Sequence, residues 1–247
     1  MKKLFPKIFA AWALLAFIAT ILPVALLLWI IGFIKEPSRT EVFRQISKVW
    51  IHIYFFLTAC TLKIRGEKNF KEGENYIVVC NHNSFIDILV ATPFIPGANK
   101  TIAKAELAKY PIFVLVYKRG SILVDRKDKI SRQDSLRKMR HVLEMGMHMC
   151  IYAEGTRNRT QLPLKEFHDG AFRLAVETGK SIIPALIFNT RKILPPEKSF
   201  YFKPAKVEMH FLPPIPVSTN DDAKLLKENV YKLMTEYYVN GKLKMEN

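Results

Sequence analysis

Seven short apolar runs, at residues 61–65, 76–80, 100–103, 121–125, 149–153, 181–188 and 206–211, punctuate most of the chain. Runs this short, bounded by turn residues, read as strands, and several lack the alternation of a half-exposed strand. Helical patterns lie between them at 84–93, 105–118 (broken at Pro111), 131–145 and 169–178. A last helix spans roughly 221–238, with Asn240-Gly241 as its stop. Strands alternating with helices predict an α/β fold, a layered domain with a largely parallel mixed sheet flanked by helices. The expected division is a helical segment over 1–62 and an α/β domain over 63–247.

The first segment is unlike the rest. From Ile8 to Ile34 no residue is charged. A helix of that length measures roughly 40 Å, against about 30 Å for the hydrocarbon core of a bilayer. Trp12 and Trp29 stand near its ends, as interfacial aromatics do. Pro23 predicts a kink or a split into two arms. A second apolar stretch, 42–62, can pair with the first as a membrane-embedded motif or simply cover the sheet. Cys60, Cys80 and Cys150 lie in or beside apolar stretches without metal-ligand spacing, which suits buried thiols in a reducing compartment. The formal net charge is +16, and residues 100–140 hold 12 Lys/Arg against 4 Asp/Glu. Such a stretch attracts nucleic acid, anionic headgroups or phosphorylated substrates. The basic part at 126–140 lacks interleaved aromatics, which argues against a single-strand nucleic-acid binder.

His82 and Asp87 sit where the run 76–80 hands over to a helix. In open α/β sheets ligands bind beyond the carboxyl ends of strands. On one continuous helix the pair would point about 140° apart, so they meet only if the chain bends at Asn83-Ser84. Ser84 is a good N-cap for the helix behind it. An aspartate bonded to one ring nitrogen fixes the tautomer and makes the other nitrogen a base. Ser84-x-x-Asp87 also resembles a capping box, and the residues alone leave both readings open.

Three other runs reach the same expected edge. Residues 121–124 lead into Asp125-Arg126, and 149–153 into Glu154-Gly155-Thr156-Arg157. The run 181–188 carries Pro184, a mark of an edge strand or a bulge. Arg126 and Arg157 offer guanidinium forks matched to a phosphate, and Gly155 permits close backbone approach. Each arginine alone is an ordinary surface charge. Together at strand ends beside a base they favour a phosphate site.

Asn81-His82-x4-Asp87 followed by Glu154-Gly155-Thr156-Arg157 resembles the glycerolipid acyltransferases, specifically the 1-acyl-glycerol-3-phosphate (lysophosphatidic acid) acyltransferases. Gly120-x-x-x-Val124-Asp125-Arg126 and Ile182-Ile183-Pro184 are similar to two further blocks of that family, so the likeness covers roughly residues 75–190. It implies a glycerol-3-phosphate acyltransferase-like fold, His82 as base and Asp87 as its partner. It also implies Arg126, Glu154, Gly155, Thr156 and Arg157 in the substrate's phosphate pocket, with Lys104 at a phosphate-binding lysine's place. Relatives often carry a Phe-Lys-x-Gly-like element, where this chain has Phe167-His168-Asp169-Gly170 with Lys165 nearby. The expected partners are lysophosphatidic acid, an acyl thioester donor (acyl-CoA or acyl-carrier protein as co-substrate) and membrane lipids, with no cofactor, metal or nucleic acid. The expected location is a membrane, a bacterial inner one, with the active site facing the cytoplasm.

The chemistry fits the residues. His82 takes the proton of an acceptor hydroxyl as it attacks a thioester, then protonates the departing thiolate, without an acyl-enzyme. Backbone amides near 183–185 are the expected donors to the oxyanion. An acyltransferase with another lysophospholipid or an amino-acid lipid as acceptor, and a non-catalytic protein of anionic surfaces, are the alternatives. The sequon Asn158-Arg159-Thr160 reads as coincidence. His52, His141, His148, His168 and His210 read as surface or packing residues.

Overall fold

A computed structural model describes residues 5–106, 111–125 and 128–246. The strands are β1 (Thr61–Arg65), β2 (Ile77–Cys80), β3 (Asn99–Lys104), β4 (Ser121–Val124), β5 (His148–Tyr152), β6 (Ile182–Phe188) and β7 (Lys206–Phe211). They form one sheet in the order β1-β7-β6-β2-β5-β3-β4. Neighbours are parallel except β6 and β7, which are antiparallel. Five strands, β2 to β6, therefore bring their carboxyl ends to one edge. The β1–β7 pair runs the other way.

The helices are α1 (Phe5–Ile30), α2 (Ser38–Leu57), α3 (Ile86–Phe94), α4 (Pro111–Gly120), α5 (Lys129–Glu144), α6 (Gly170–Thr178), α7 (Thr190–Ile193) and α8 (Ala223–Glu246). The helical pattern at 105–118 breaks at Pro111 as expected, for α4 starts there, while β3 extends to Lys104. Proline suits a first helical position because its missing N–H would have no partner there.

The central strands are apolar throughout because both faces are covered. Val78 and Cys80 of β2 belong to a core shared with α1, α2 and α3. Ile77 and Val79 belong to a second core beneath α5, α6 and α8. Edge strand β1 instead alternates, with Thr61, Lys63 and Arg65 exposed.

Pro184 is not on an edge strand, since β6 lies between β2 and β7. Ala185 pairs with Phe211 while Ile182 bridges Ile215. The chain after β7 thus carries one extra residue opposite the proline, the bulge that tolerates a missing donor. Of the two outcomes expected at Pro23, the split does not occur, since α1 is continuous through it. The stop expected at Asn240-Gly241 does not hold, since α8 runs on to Glu246. Gly241 marks close packing: a Cβ there would stand 3.0 Å from the Phe188 ring.

α1 packs against α2 and α4. Trp12 donates to the Leu57 carbonyl at 2.8 Å, Trp50 donates to the Thr20 hydroxyl at 3.0 Å, and Phe17 meets the Trp50 and Tyr54 rings edge-on. The outer face of α1 stays apolar, with Ile8, Leu15, Leu22, Leu26 and Trp29 each more than half exposed. The segment Phe5–Phe33 is long and apolar enough to cross a bilayer, with a mean hydropathy of 2.8.

Candidate active site

The loop between β2 and α3 is fixed before chemistry is considered. Asn81, fully buried, donates to the Ile187 carbonyl and accepts the Ile187 N–H, tying the end of β2 to β6. The His82 N–H donates to Glu154 Oε1 at 2.7 Å, and the His82 carbonyl accepts from the Asn158 N–H at 2.6 Å. Held there, the His82 ring places Nδ1 2.9 Å from Asp87 Oδ2.

Asp87 is completely buried, which is tolerable for a carboxylate only with full hydrogen bonding. Oδ2 also accepts the backbone N–H groups of Asn83 and Ser84, and Oδ1 accepts the Thr190 hydroxyl from α7. The bond from Ser84 N–H resembles half of a capping box, but it lies in the turn ahead of the helix, so Asp87 shapes that turn and orients the imidazole at once. Ser84 itself is not the N-cap, because α3 begins at Ile86. Its hydroxyl accepts from Ile86 N–H and donates to the Leu194 carbonyl. With Asp87 as acceptor the proton sits on Nδ1, leaving the Nε2 lone pair as the basic site. The Tyr152 ring lies against the imidazole, centroids 4.4 Å apart.

His82 lines a cleft of about 1030 Å³ at the carboxyl edge of the sheet, together with Lys104, Gly155, Thr156, Arg157 and Lys165. The Arg157 guanidinium sits 3.6 Å above the Phe85 ring, a cation–π contact that holds its plane in place. Burial, the neighbouring charge of Arg159 and, opposing them, Asp87 leave its pKa somewhat lowered. Lys165 Nζ donates to the Thr156 hydroxyl at 2.7 Å. Gly155 turns the chain out of β5 with φ +69°, a conformation that suits glycine. Lys104, exposed at the end of β3, adds charge to the same wall.

Glu154 stands apart from the expected phosphate-pocket group. It is fully buried, and its two oxygens accept the backbone N–H groups of His82 and Lys165. It is a strut between loops. Burial pushes its pKa up to about 7, against the two N–H donors that favour the ionised form. Arg126 lies outside the described residues. The amides of Ile183 and Ala185 lie inside β6, between β2 and β7, so the structure does not present them as oxyanion donors.

Thr190 had no sequence signal, because it reaches Asp87 from 103 residues away. His210, expected as a surface or packing residue, has an acidic partner: it lies 3.0 Å from Glu208. Two residues apart on a strand means one face, so that signal was present. Its other ring nitrogen meets the Tyr237 hydroxyl, which leaves no free base. His148 is a packing residue whose pKa burial lowers to about 4. Asn158 is buried, with its side chain bonded to Leu162 and Thr160, which suits a structural residue and not a glycosylation site.

A family model described as Acyltransferase matches residues 61–188, more than half of the chain. The chain belongs to the acyltransferase family. The match runs from β1 to the end of β6 and so contains His82, Asp87 and the 154–157 turn. Among individual relatives of this acyltransferase-family chain is the human 1-acyl-sn-glycerol-3-phosphate acyltransferase alpha, 31% identical over 188 residues, or 73% of this chain and 64% of that protein. The 1-acyl-sn-glycerol-3-phosphate acyltransferase of Borreliella burgdorferi is 30% identical over 146 residues, 57% of this chain and 56% of its own. The chain thus matches a little under two thirds of the length of the human relative. The crystal structure of the 1-acyl-sn-glycerophosphate (LPA) acyltransferase PlsC from Thermotoga maritima superposes with a TM-score of 0.82, covering 98% of both chains at 20% identity. The acyltransferase-family fold therefore extends through the helical N-terminus as well as the sheet.

Proposed function

We propose that this acyltransferase-family chain moves a fatty acyl group from an acyl thioester to the sn-2 hydroxyl of lysophosphatidic acid, giving phosphatidic acid. One observation carries the reading: His82 turns Nδ1 into the buried Asp87 and its ring lines a cleft shared with Lys104, Arg157 and Lys165. The phosphate of the acceptor is held by cations, and Arg157, braced on Phe85, is the fork suited to it. That grip places the hydroxyl near Nε2, an orientation effect. Nε2 removes the hydroxyl proton as the oxygen attacks the thioester carbon. The C–S bond then breaks, and the imidazolium returns its proton to the leaving thiolate. The curated relatives named for this reaction support the choice of acceptor. The donor is acyl-CoA or an acyl-carrier protein. α1 and α2 anchor the chain in the membrane that supplies the acceptor, with the active site on the cytoplasmic face, as in a bacterial inner membrane.

Incubation of the full chain with an acyl thioester and lysophosphatidic acid, with lipid products read by mass spectrometry, tests the assignment. Phosphatidic acid is the expected product. Acylation of a lysophospholipid without a phosphate monoester, with lysophosphatidic acid untouched, would contradict it.

A further inference from the structure

A second cleft, of about 690 Å³, lies beside the first residues of β3 and β4, at the opposite edge of the sheet from His82. Its walls carry Arg39, Lys100, Lys118, Arg137 and Lys138, and among the described residues Glu36 is the only acidic one lining it. The carboxylates present do not cancel this charge. Glu36 holds both Lys100 and Arg39, and Asp134 on α5 holds both Arg137 and Lys138. Among the described residues no carboxylate pairs with Lys118. Each carboxylate thus fixes two cations in place and neutralises one. Burial would raise the pKa of Glu36, but the bonds from Lys100, Thr40 and Arg39 outweigh it and pull it down to about 2. Glu36 is therefore ionised across the neutral range, and the cations of the cleft still outnumber the carboxylates that hold them.

The surroundings narrow the ligand. The end of α1 and the turn after it leave Trp29, Ile30, Phe33 and Ile34 exposed, Phe33 by 82%, immediately before Glu36. Arg119, next to Lys118, lies against Gly32, and its Nε donates to the Leu28 carbonyl. Apolar surface and cationic cleft thus meet at the α1–α4 junction. Acyl tails favour the first and a headgroup phosphate the second.

We infer that this cleft binds the phosphate headgroup of an anionic membrane lipid, at a site separate from the His82 cleft. Bound there, the lipid docks the α4–α5 end of the molecule onto an anionic leaflet. The inference does not depend on the reaction proposed above, because its test reads binding and not turnover.

The test uses the full chain and two pairs of substitutions with equal change of charge. Lys118→Glu with Arg137→Glu alters the cleft, and Lys224→Glu with Lys232→Glu alters exposed positions of α8. Partition is measured onto vesicles of phosphatidylcholine alone and of phosphatidylcholine with phosphatidylglycerol. Removing the cleft's cations should cost about tenfold or more of the preference for the anionic vesicles, at roughly one kcal/mol per cation near the surface. The α8 pair should keep most of it. Equal losses in the two pairs would mean a general attraction of a chain with net charge +16, and would overturn the inference, as would no loss in the cleft pair. Calorimetric titration with inorganic phosphate, without vesicles, separates a free ion from a lipid headgroup. No binding heat supports the lipid assignment, and heat abolished by the cleft pair overturns it.

Discussion

Asp87 Oδ2 binds His82 Nδ1 and the two amides that shape the loop, so orientation of the base and the turn into α3 are one structural fact. Its other oxygen depends on Thr190. Thr190→Val keeps the volume, removes that donor and leaves a buried acceptor unpaired, which costs about 1–3 kcal/mol of stability. The resulting freedom of Asp87 should lower kcat on the order of ten- to a hundredfold with KM little changed. Thr190→Ser should restore most of it. Equal kcat in Thr190→Val and wild type would show that Thr190 does not position the pair. Glu154 gives a pH test. Its folded pKa is raised from 4.5 to about 7, so the folded state binds the extra proton in that window. The stability Glu154 adds is present below pH 4.5 and is lost as pH rises through 7. In urea titrations, wild type minus Glu154→Gln should therefore fall across that range and level above it. A difference that rises with pH would mean an ionised, stabilised carboxylate. The motif residues were legible from their types and spacing. The inward turn of Glu154 was not, because a sequence does not say which side of a loop faces solvent.

The strands were legible at the scale of elements because their apolar runs are short and bounded. Their order was not, since the reversal of β7 and β1 depends on a connection through α7 that has little periodicity of its own. Gly241 shows how a local rule misleads. Asn-Gly is a helix stop by propensity, but here the glycine lets α8 cross Phe188, whose ring stacks on Tyr238 with centroids 4.9 Å apart. In an exposed helix interior Gly→Ala gains about 1 kcal/mol. Gly241→Ala should show no such gain, because the new methyl presses on a buried ring, and Gly241→Val should destabilise by about 1–3 kcal/mol. Denaturant titration checks both. A full gain in Gly241→Ala would mean that Phe188 yields freely.

For the whole molecule, two features with separate sequence signals meet in one body: an uncharged N-terminal helix and a sheet edge carrying the base. The core beneath α1 and α2 is continuous with the sheet face that holds Val78 and Cys80. Helices and site therefore keep a fixed relation. On this account Leu15→Lys with Leu22→Lys, on the outer face of α1, should release the chain from vesicles while leaving its unfolding temperature unchanged, because both side chains are more than half exposed. Retained binding would place the membrane contact elsewhere. The central claim is that the His82 imidazole removes the acceptor's proton. Its most direct measurement is acceptor-dependent thiol release from an acyl thioester by wild type and His82→Ala, each shown to be folded and vesicle-bound. The account predicts a loss on the order of a hundred- to ten-thousandfold in kcat for the variant. A variant turning over within a few fold of wild type would contradict it.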